Sequence, residues 1–432
     1  MKILFLLKNS GVEKTTVFIE VIKMLVDRGT DINIIVANRP QNYVEESYYI
    51  DEPAVRECIL NITENKASYS SRLKSFIRKY KVMEKITWTI YNFILQWGLW
   101  IRVKANRNND ETVLEEFLTP SMRNFKPKEY YDYIWTVDEF GLLWAEWINL
   151  HSETKYKIVH HSLELRWEHY FLQAHKSWQY IKQSFMYEKA CTILKKTEID
   201  IIQDESRWKI LCRYTGLDEN SEKILFPVSI KDYQSELVIT SYKKKNINAD
   251  KKIVFYPTRI GSNRGCAELI NMSKELDENF VTVIHGSAGD QDYISKIQND
   301  VLSSSNVIIS NTTLDYNELI NIHQDVWCVF LYYSEIDYNN KYIVNSSNKL
   351  VMALQAGKPI ITLGNKTLAD LCAEYGCGIA INSWSEKEFA VAVNDMEKNY
   401  DFYCKNARRC YEERFNIELY AEELYNKLLS KI

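Results

Sequence analysis

Short apolar runs alternate with longer amphipathic stretches along almost the whole chain, break off once, and start again. Short apolar runs read as buried strands, and stretches with apolar residues three and four apart read as helices. Strands joined by helices lie parallel, so the expected class is α/β. Residues 3–7 form the first expected strand, Val17, Phe18, Val21, Ile22 and Leu25 mark a helix face ending near Arg28-Gly29, and 32–36 form the next strand. Further strands are expected at 133–137, 157–161, 199–202 and 224–226. Residues 229–250 are polar and contain Lys243-Lys244-Lys245. The alternation then resumes at 253–256, 281–284, 307–309, 327–332, 360–363 and 378–381. Two doubly wound domains are therefore expected, 1–230 and 251–415, with a linker over 231–250 and a helical segment over 416–432. They are expected to face a cleft at the carboxyl ends of their sheets.

At 432 residues the chain is long enough for two full cores. Its net charge of -4 gives no basic signature for nucleic acid. The nine cysteines form no CxxC pair and have no zinc-like spacing, so structural thiols are expected and no metal. The opening MKILFLLKNSG is too short for a signal-peptide core, which points to a cytoplasmic, reduced protein.

The most specific stretch runs from Asn345 to Gly378. Asn345, Ser346 and Ser347 offer side-chain oxygens for a helix N-cap, and Leu350, Ala353 and Leu354 follow with helical spacing. Gly357 suits the left-handed position after the helix, and Pro359 prevents continuation. A second helix is expected from about Thr367 to Gly376. The free N–H groups and dipole of a helix start favour an anion, and a phosphate-bearing ligand is the natural candidate. Arg259 and Arg264 stand just past the first strand of the second domain, where two guanidiniums can clamp a diphosphate or simply face solvent. The run His285-Gly286-Ser287-Ala288-Gly289 lets backbone approach a ligand closely. In the first domain, Asn9, Ser10 and Gly11 form a loop that can present N–H groups to a phosphate or sugar, or close as a plain turn. Asp290-x-Asp292 imitates a metal-binding pair, but its place at a helix start is better explained by N-capping.

Arg259-x4-Arg264-Gly265, Gly286-x-x-Gly289 and Asn348-Lys349-Leu350 through Ala356-Gly357-Lys358-Pro359-Ile360-Ile361 together resemble the donor domain of GT-B glycosyltransferases. The nearest group is the retaining glycosyltransferase family 4, particularly its bacterial capsule and lipopolysaccharide members. Leu6 through Gly11, Arg28-Gly29, His160 to Leu165 and Ile202 to Arg207 are similar to its acceptor domain, and Arg414-Phe415-Asn416 to its C-terminal crossover. The resemblance implies two Rossmann-like domains, the first completed by 416–432. It implies transfer of a sugar from a nucleotide sugar, UDP- or GDP-linked, to a saccharide or lipid-linked acceptor, with no cofactor and no metal. Arg259, Arg264, Ser346, Ser347, Asn348 and Lys349 would hold the diphosphate, the loop 311–319 the base, and Asn9, Ser10, Gly11 and Gly286 would line the donor and acceptor loops. The family's acidic pair falls on Val344 and Met352, with Glu335 after the preceding strand, so Glu335 and Met352 mark the sugar and ribose region. His161 and Glu164 follow a first-domain strand and either orient or deprotonate the acceptor or merely close that strand.

Residues 66–107 hold ten Lys and Arg against one acid, Glu84, inside a chain of net charge -4. Within them ITWTIYNFILQWGLWI, 86–101, is shorter than the ~20 apolar residues that span a bilayer. Trp88, Trp97 and Trp100, with Lys79, Lys81 and Lys85 before them, suit a membrane interface, making peripheral contact with the inner face of the plasma membrane the expectation. A buried helix preceded by a solvated basic one is the plain alternative. At the level of function, the alternative is a non-catalytic GT-B scaffold or sugar-nucleotide-binding protein at the membrane.

Overall fold

The computed structural model describes residues 1–7, 16–37, 54–59, 93–94, 96–105, 110–167, 181–233, 251–287, 291–302, 306–312, 314 and 316–432. The chain divides into two compact units. Unit 1 comprises Met1–Thr15, Ile22–Leu225 and Tyr425–Ile432, and unit 2 comprises Thr16–Val21 and Phe226–Leu424.

The sheet of unit 1 has seven strands: β1 (Lys2–Leu7), β2 (Asp31–Val36), β3 (Val55–Ile59), β4 (Tyr133–Val137), β5 (Lys157–His161), β6 (Ile199–Ile202) and β7 (Lys223–Leu225). Their order is β3-β2-β1-β4-β5-β6-β7, and every pairing is parallel. Unit 2 has six: β8 (Lys252–Pro257), β9 (Phe280–His285), β10 (Val307–Ser310), β11 (Cys328–Tyr332), β12 (Ile360–Leu363) and β13 (Gly378–Ile381). Their order is β10-β9-β8-β11-β12-β13, again parallel throughout. The inner strands are buried on both faces, which is why they read as continuous apolar runs, while β7, β10 and β13 towards the edges are only partly buried. Each sheet reverses its winding once, between β1 and β4 and between β8 and β11. The carboxyl ends of strands at such a reversal splay apart and leave a crevice.

β3 is the strand that the apolar rhythm does not predict. Its sequence, VRECI, places Arg and Glu inside the run, as suits the outermost strand of the sheet.

Candidate functional site

In unit 2 the carboxyl ends of β8, β9 and β11 gather the residues of interest. A Cβ on Gly286, whose φ is 151°, would lie 2.0 Å from the Thr258 carbonyl oxygen. Only glycine lets the loop after β9 cross so close to the loop that carries Arg259. Thr258 N–H donates to His285 O (2.8 Å) and Ile260 N–H to Ser287 O (3.0 Å), tying the two loops together. Buried Tyr256 donates its hydroxyl to Arg264 O at 2.5 Å and holds the next turn. Gly265 caps the helix Cys266–Met272 with φ 67°, where a Cβ would meet the Trp384 ring at 2.3 Å. Arg259 is exposed and Arg264 half-buried. Neither forms an ion pair among the described residues.

The helix Asn348–Gln355 starts near Arg264, whose charge reaches Lys349 and Tyr333. Ser347 is its N-cap, accepting from Leu350 N–H at 3.2 Å and lying 2.8 Å from the Tyr333 hydroxyl, so Tyr333, just after β11, fixes the cap. Ser346 turns its hydroxyl back to Tyr342 O and Ile343 O. Asn348 Oδ1 is buried with no hydrogen-bond partner among the described residues. Lys349 is half-buried with its ammonium 5.7 Å from the centre of the Tyr333 ring. Burial, reinforced by the charge of Arg264, pulls its pKa down to about 8. One end of the sheet therefore carries a capped helix start and cations whose charge is partly desolvated, which suits a polyanion.

In unit 1 the reversal point carries Asp138, the one non-glycine described residue with positive φ, at 50°. It follows β4 directly, and its Oδ1 accepts from Leu163 N–H (3.1 Å) and Glu164 N–H (3.4 Å) of the loop after β5. Burial, then repulsion from Glu139, pushes the Asp138 carboxyl up to about 7, against the pull of Arg166. Strained backbone at a crevice is a mark of functional residues. Glu164 is exposed on that loop. His161 has 0% exposure, packs edge-on to Trp135 with ring centres 5.8 Å apart, and is held at a pKa of about 3 by burial and by His160.

Residues 239–414 match the sequence model of the family described as glycosyl transferases group 1. The matched stretch lies within unit 2. Solved structures similar to the chain include Anabaena Alr3699/HepE in complex with UDP and glucose (15% identity, TM-score 0.61, 100% of each chain covered). They also include a sucrose-phosphate synthase from Thermosynechococcus elongatus (15%, 0.62, 100% of each) and WaaG, a glycosyltransferase involved in lipopolysaccharide biosynthesis (12%, 0.57, 99% of each). These likenesses establish the GT-B fold. None of the curated proteins matches the chain.

Unit 2 thus gathers Arg264, Ser347, Asn348 and Lys349 at one end of its sheet, beside the Gly286 loop that adjoins Arg259. Val344 and Met352, the positions onto which the resemblance places an acidic pair, are apolar and interior, at 5% and 3% exposure. Glu335 accepts from Lys366 N–H at 2.6 Å, at the start of the next helix, Lys366–Tyr375. Asn9, Ser10, Gly11, Trp88, Lys79, Lys81 and Lys85 lie outside the described residues. The helix over 96–105 is described: Trp97 is 43% and Ile101 55% exposed, while Leu99 and Val103 are buried. Lys104 sits 4.5 Å above the Trp100 ring. No helix among the described residues is long and apolar enough to cross a membrane. Sequence reading missed Asp138 and Tyr333. A left-handed aspartate has no periodicity to betray it, and Tyr333 continues the apolar run of β11.

Proposed function

We propose that the chain transfers a sugar from a nucleotide sugar, UDP- or GDP-linked, to a saccharide or lipid-linked saccharide in bacterial cell-surface polysaccharide assembly, with retention and without a metal or other cofactor. The observation that carries this reading is the capped start of helix Asn348–Gln355 next to Lys349 and Arg264, at the carboxyl ends of the unit 2 strands. UDP and glucose bound to the similar Alr3699/HepE support it. In this reading Arg259, Arg264, Lys349 and the first helical N–H groups neutralise the charge that grows on the departing diphosphate. The bond from the sugar C1 to the phosphate oxygen breaks, the acceptor oxygen bonds to C1 on the same face, and the acceptor proton passes to the leaving phosphate. Glu164 and Asp138 orient the acceptor hydroxyl, and His161 supports that loop from beneath as an uncharged ring. The exposed Trp97 and Ile101, with Lys104 close by, support a reading in which the chain docks peripherally on the cytoplasmic membrane surface. That part of the reading predicts co-sedimentation with anionic vesicles that weakens in salt; a protein left wholly in the supernatant refutes it.

The decisive experiment is calorimetry with UDP and GDP and their sugars, on the natural chain and on Arg259→Ala/Arg264→Ala. Removing charge-assisted contacts of about 1.5–3 kcal/mol each should weaken binding by about a hundredfold or more and abolish transfer. Full activity in the double variant overturns the assignment. Met352 and Val344 favour a second reading, a non-catalytic scaffold; a failure of every donor to bind the natural chain decides for it.

A further inference from the structure

The turn that carries Arg264 is held from three sides. Arg264 N–H donates to Gly261 O at 3.1 Å, and the Tyr256 hydroxyl donates to Arg264 O at 2.5 Å. The third side is aromatic. At Gly265, φ 67°, a Cβ would lie 2.3 Å from Trp384 Cη2, 2.6 Å from Trp384 Cζ2 and 3.2 Å from Tyr332 Cδ1. The space beside this glycine is therefore filled by two rings, which meet edge to face with centres 4.8 Å apart. Glycine is free to take either sign of φ, so such a turn keeps one shape only where its neighbours hold it. Trp384 reaches Gly265 from the loop between β13 and helix Glu386–Lys398. A single carboxylate ties that loop down. Glu388 accepts from the backbone N–H groups of Asn382 (2.6 Å) and Ser383 (3.1 Å), from Asn382 Nδ2 (3.1 Å) and from Ser383 Oγ (2.7 Å). Ser385 caps the helix by accepting from Glu388 N–H at 3.3 Å. In an ordinary capping box the glutamate returns to the N–H of the cap residue itself. Here it reaches past the cap to the two residues before Trp384, which fixes where the indole enters the site.

We propose that Trp384 is a positioning residue of the donor site, acting through Arg264, and that Glu388 is its latch. The inference rests on the donor-site reading given above and names what holds that site in shape. The indole fills the flank that Gly265 leaves open, so the turn cannot relax and Arg264 stays near Lys349. The guanidinium is then in place before the diphosphate arrives, and binding does not have to order a long side chain. Without the ring, Gly265 regains its freedom and Arg264 must be ordered by the ligand. Without the Glu388 carboxylate, the loop that delivers the ring loosens and the same effect follows in weaker form.

The test is a double-mutant cycle read by calorimetry with UDP and GDP, on the natural chain, Trp384→Ala, Arg264→Ala and the two together. Trp384→Ala should weaken binding about tenfold when Arg264 is present and should cost nothing further beside Arg264→Ala. A ring that only supports the fold would cost the same in both backgrounds, and that result overturns the proposal, as does an unchanged affinity in Trp384→Ala. Glu388→Ala leaves the aromatic packing in place and should weaken binding about threefold, again only when Arg264 is present. If Trp384→Ala does not fold, Glu388→Ala decides by the same two outcomes. A natural chain that binds neither nucleotide removes the donor site and this inference with it, whereas binding that ignores Trp384 and Glu388 removes the inference alone.

Discussion

Lys349 is the residue on which the chemistry of the proposed donor site turns. An ammonium in water gains little from a phosphate, because both are already well solvated. Half-buried against Tyr333 and beside Arg264, Lys349 is short of solvation and gains more when an anion arrives. Its pKa near 8 makes this visible. Below that value the side chain is charged and contributes to binding; above it, the free protein must take up a proton to bind. Affinity for a nucleoside diphosphate should therefore fall as pH rises through 8, by about tenfold per unit if the contribution of Lys349 depends wholly on its charge. In Lys349→Arg, whose guanidinium stays charged, the same titration should be flat. Calorimetry between pH 7 and 9.5 measures both. An unchanged affinity in the natural chain would remove Lys349 from the site. Asp138 is the corresponding residue of unit 1, with its charge poised by burial and its backbone held at φ 50°.

At the scale of elements, what could be read from the sequence was what is decided locally. Ser347 caps its helix, Gly357 takes φ 64° and Gly376 φ 66°, and helix Lys366–Tyr375 starts one residue from the expected position. Lys358 N–H reaches Ala353 O (2.8 Å) and Gly357 N–H reaches Leu354 O (3.0 Å), the pattern that a glycine in that place predicts. Caps and turns involve residues three to five apart, so their signals sit together in the chain. Strands buried on both faces announce themselves in the same way. β3 does not, because an outermost strand can carry Arg56 and Glu57 and still pair with β2. The site was legible only in part for the same reason. Arg259, Arg264 and Lys349 stand out as charges, but Tyr333 earns its role by reaching Ser347 across fourteen residues, and Asp138 by meeting the loop at Leu163. His161 showed the converse: its type suggested acid–base chemistry, yet its packing against Trp135 leaves it buried and uncharged.

At the scale of the molecule, the last helix, Glu418–Ser430, begins with unit 2 and ends with unit 1. Its final residues are built into unit 1 by specific contacts. Leu428 is 0% exposed, its carbonyl accepts from the Tyr133 hydroxyl at 2.6 Å, and the Tyr425 hydroxyl donates to Arg28 O at 2.7 Å. Lys427 and Lys431 both pair with Glu222. Deleting 425–432 removes a buried leucine, about 2–5 kcal/mol, and leaves the Tyr133 hydroxyl without its acceptor, about 1–3 kcal/mol more. For a unit of this size a loss of ~4 kcal/mol lowers the unfolding midpoint by roughly 10 °C. The effect should be confined to unit 1, because none of the deleted residues belongs to unit 2. Nine of the eleven tryptophans lie in unit 1, so thermal unfolding followed by tryptophan fluorescence reports chiefly on that unit. Scanning calorimetry of the same sample reports on both. The expected result is a fluorescence transition shifted down by about 10 °C beside a second calorimetric transition that stays in place. A fluorescence midpoint unmoved by the deletion would mean that the helix end is an ornament of unit 1 and not part of its core.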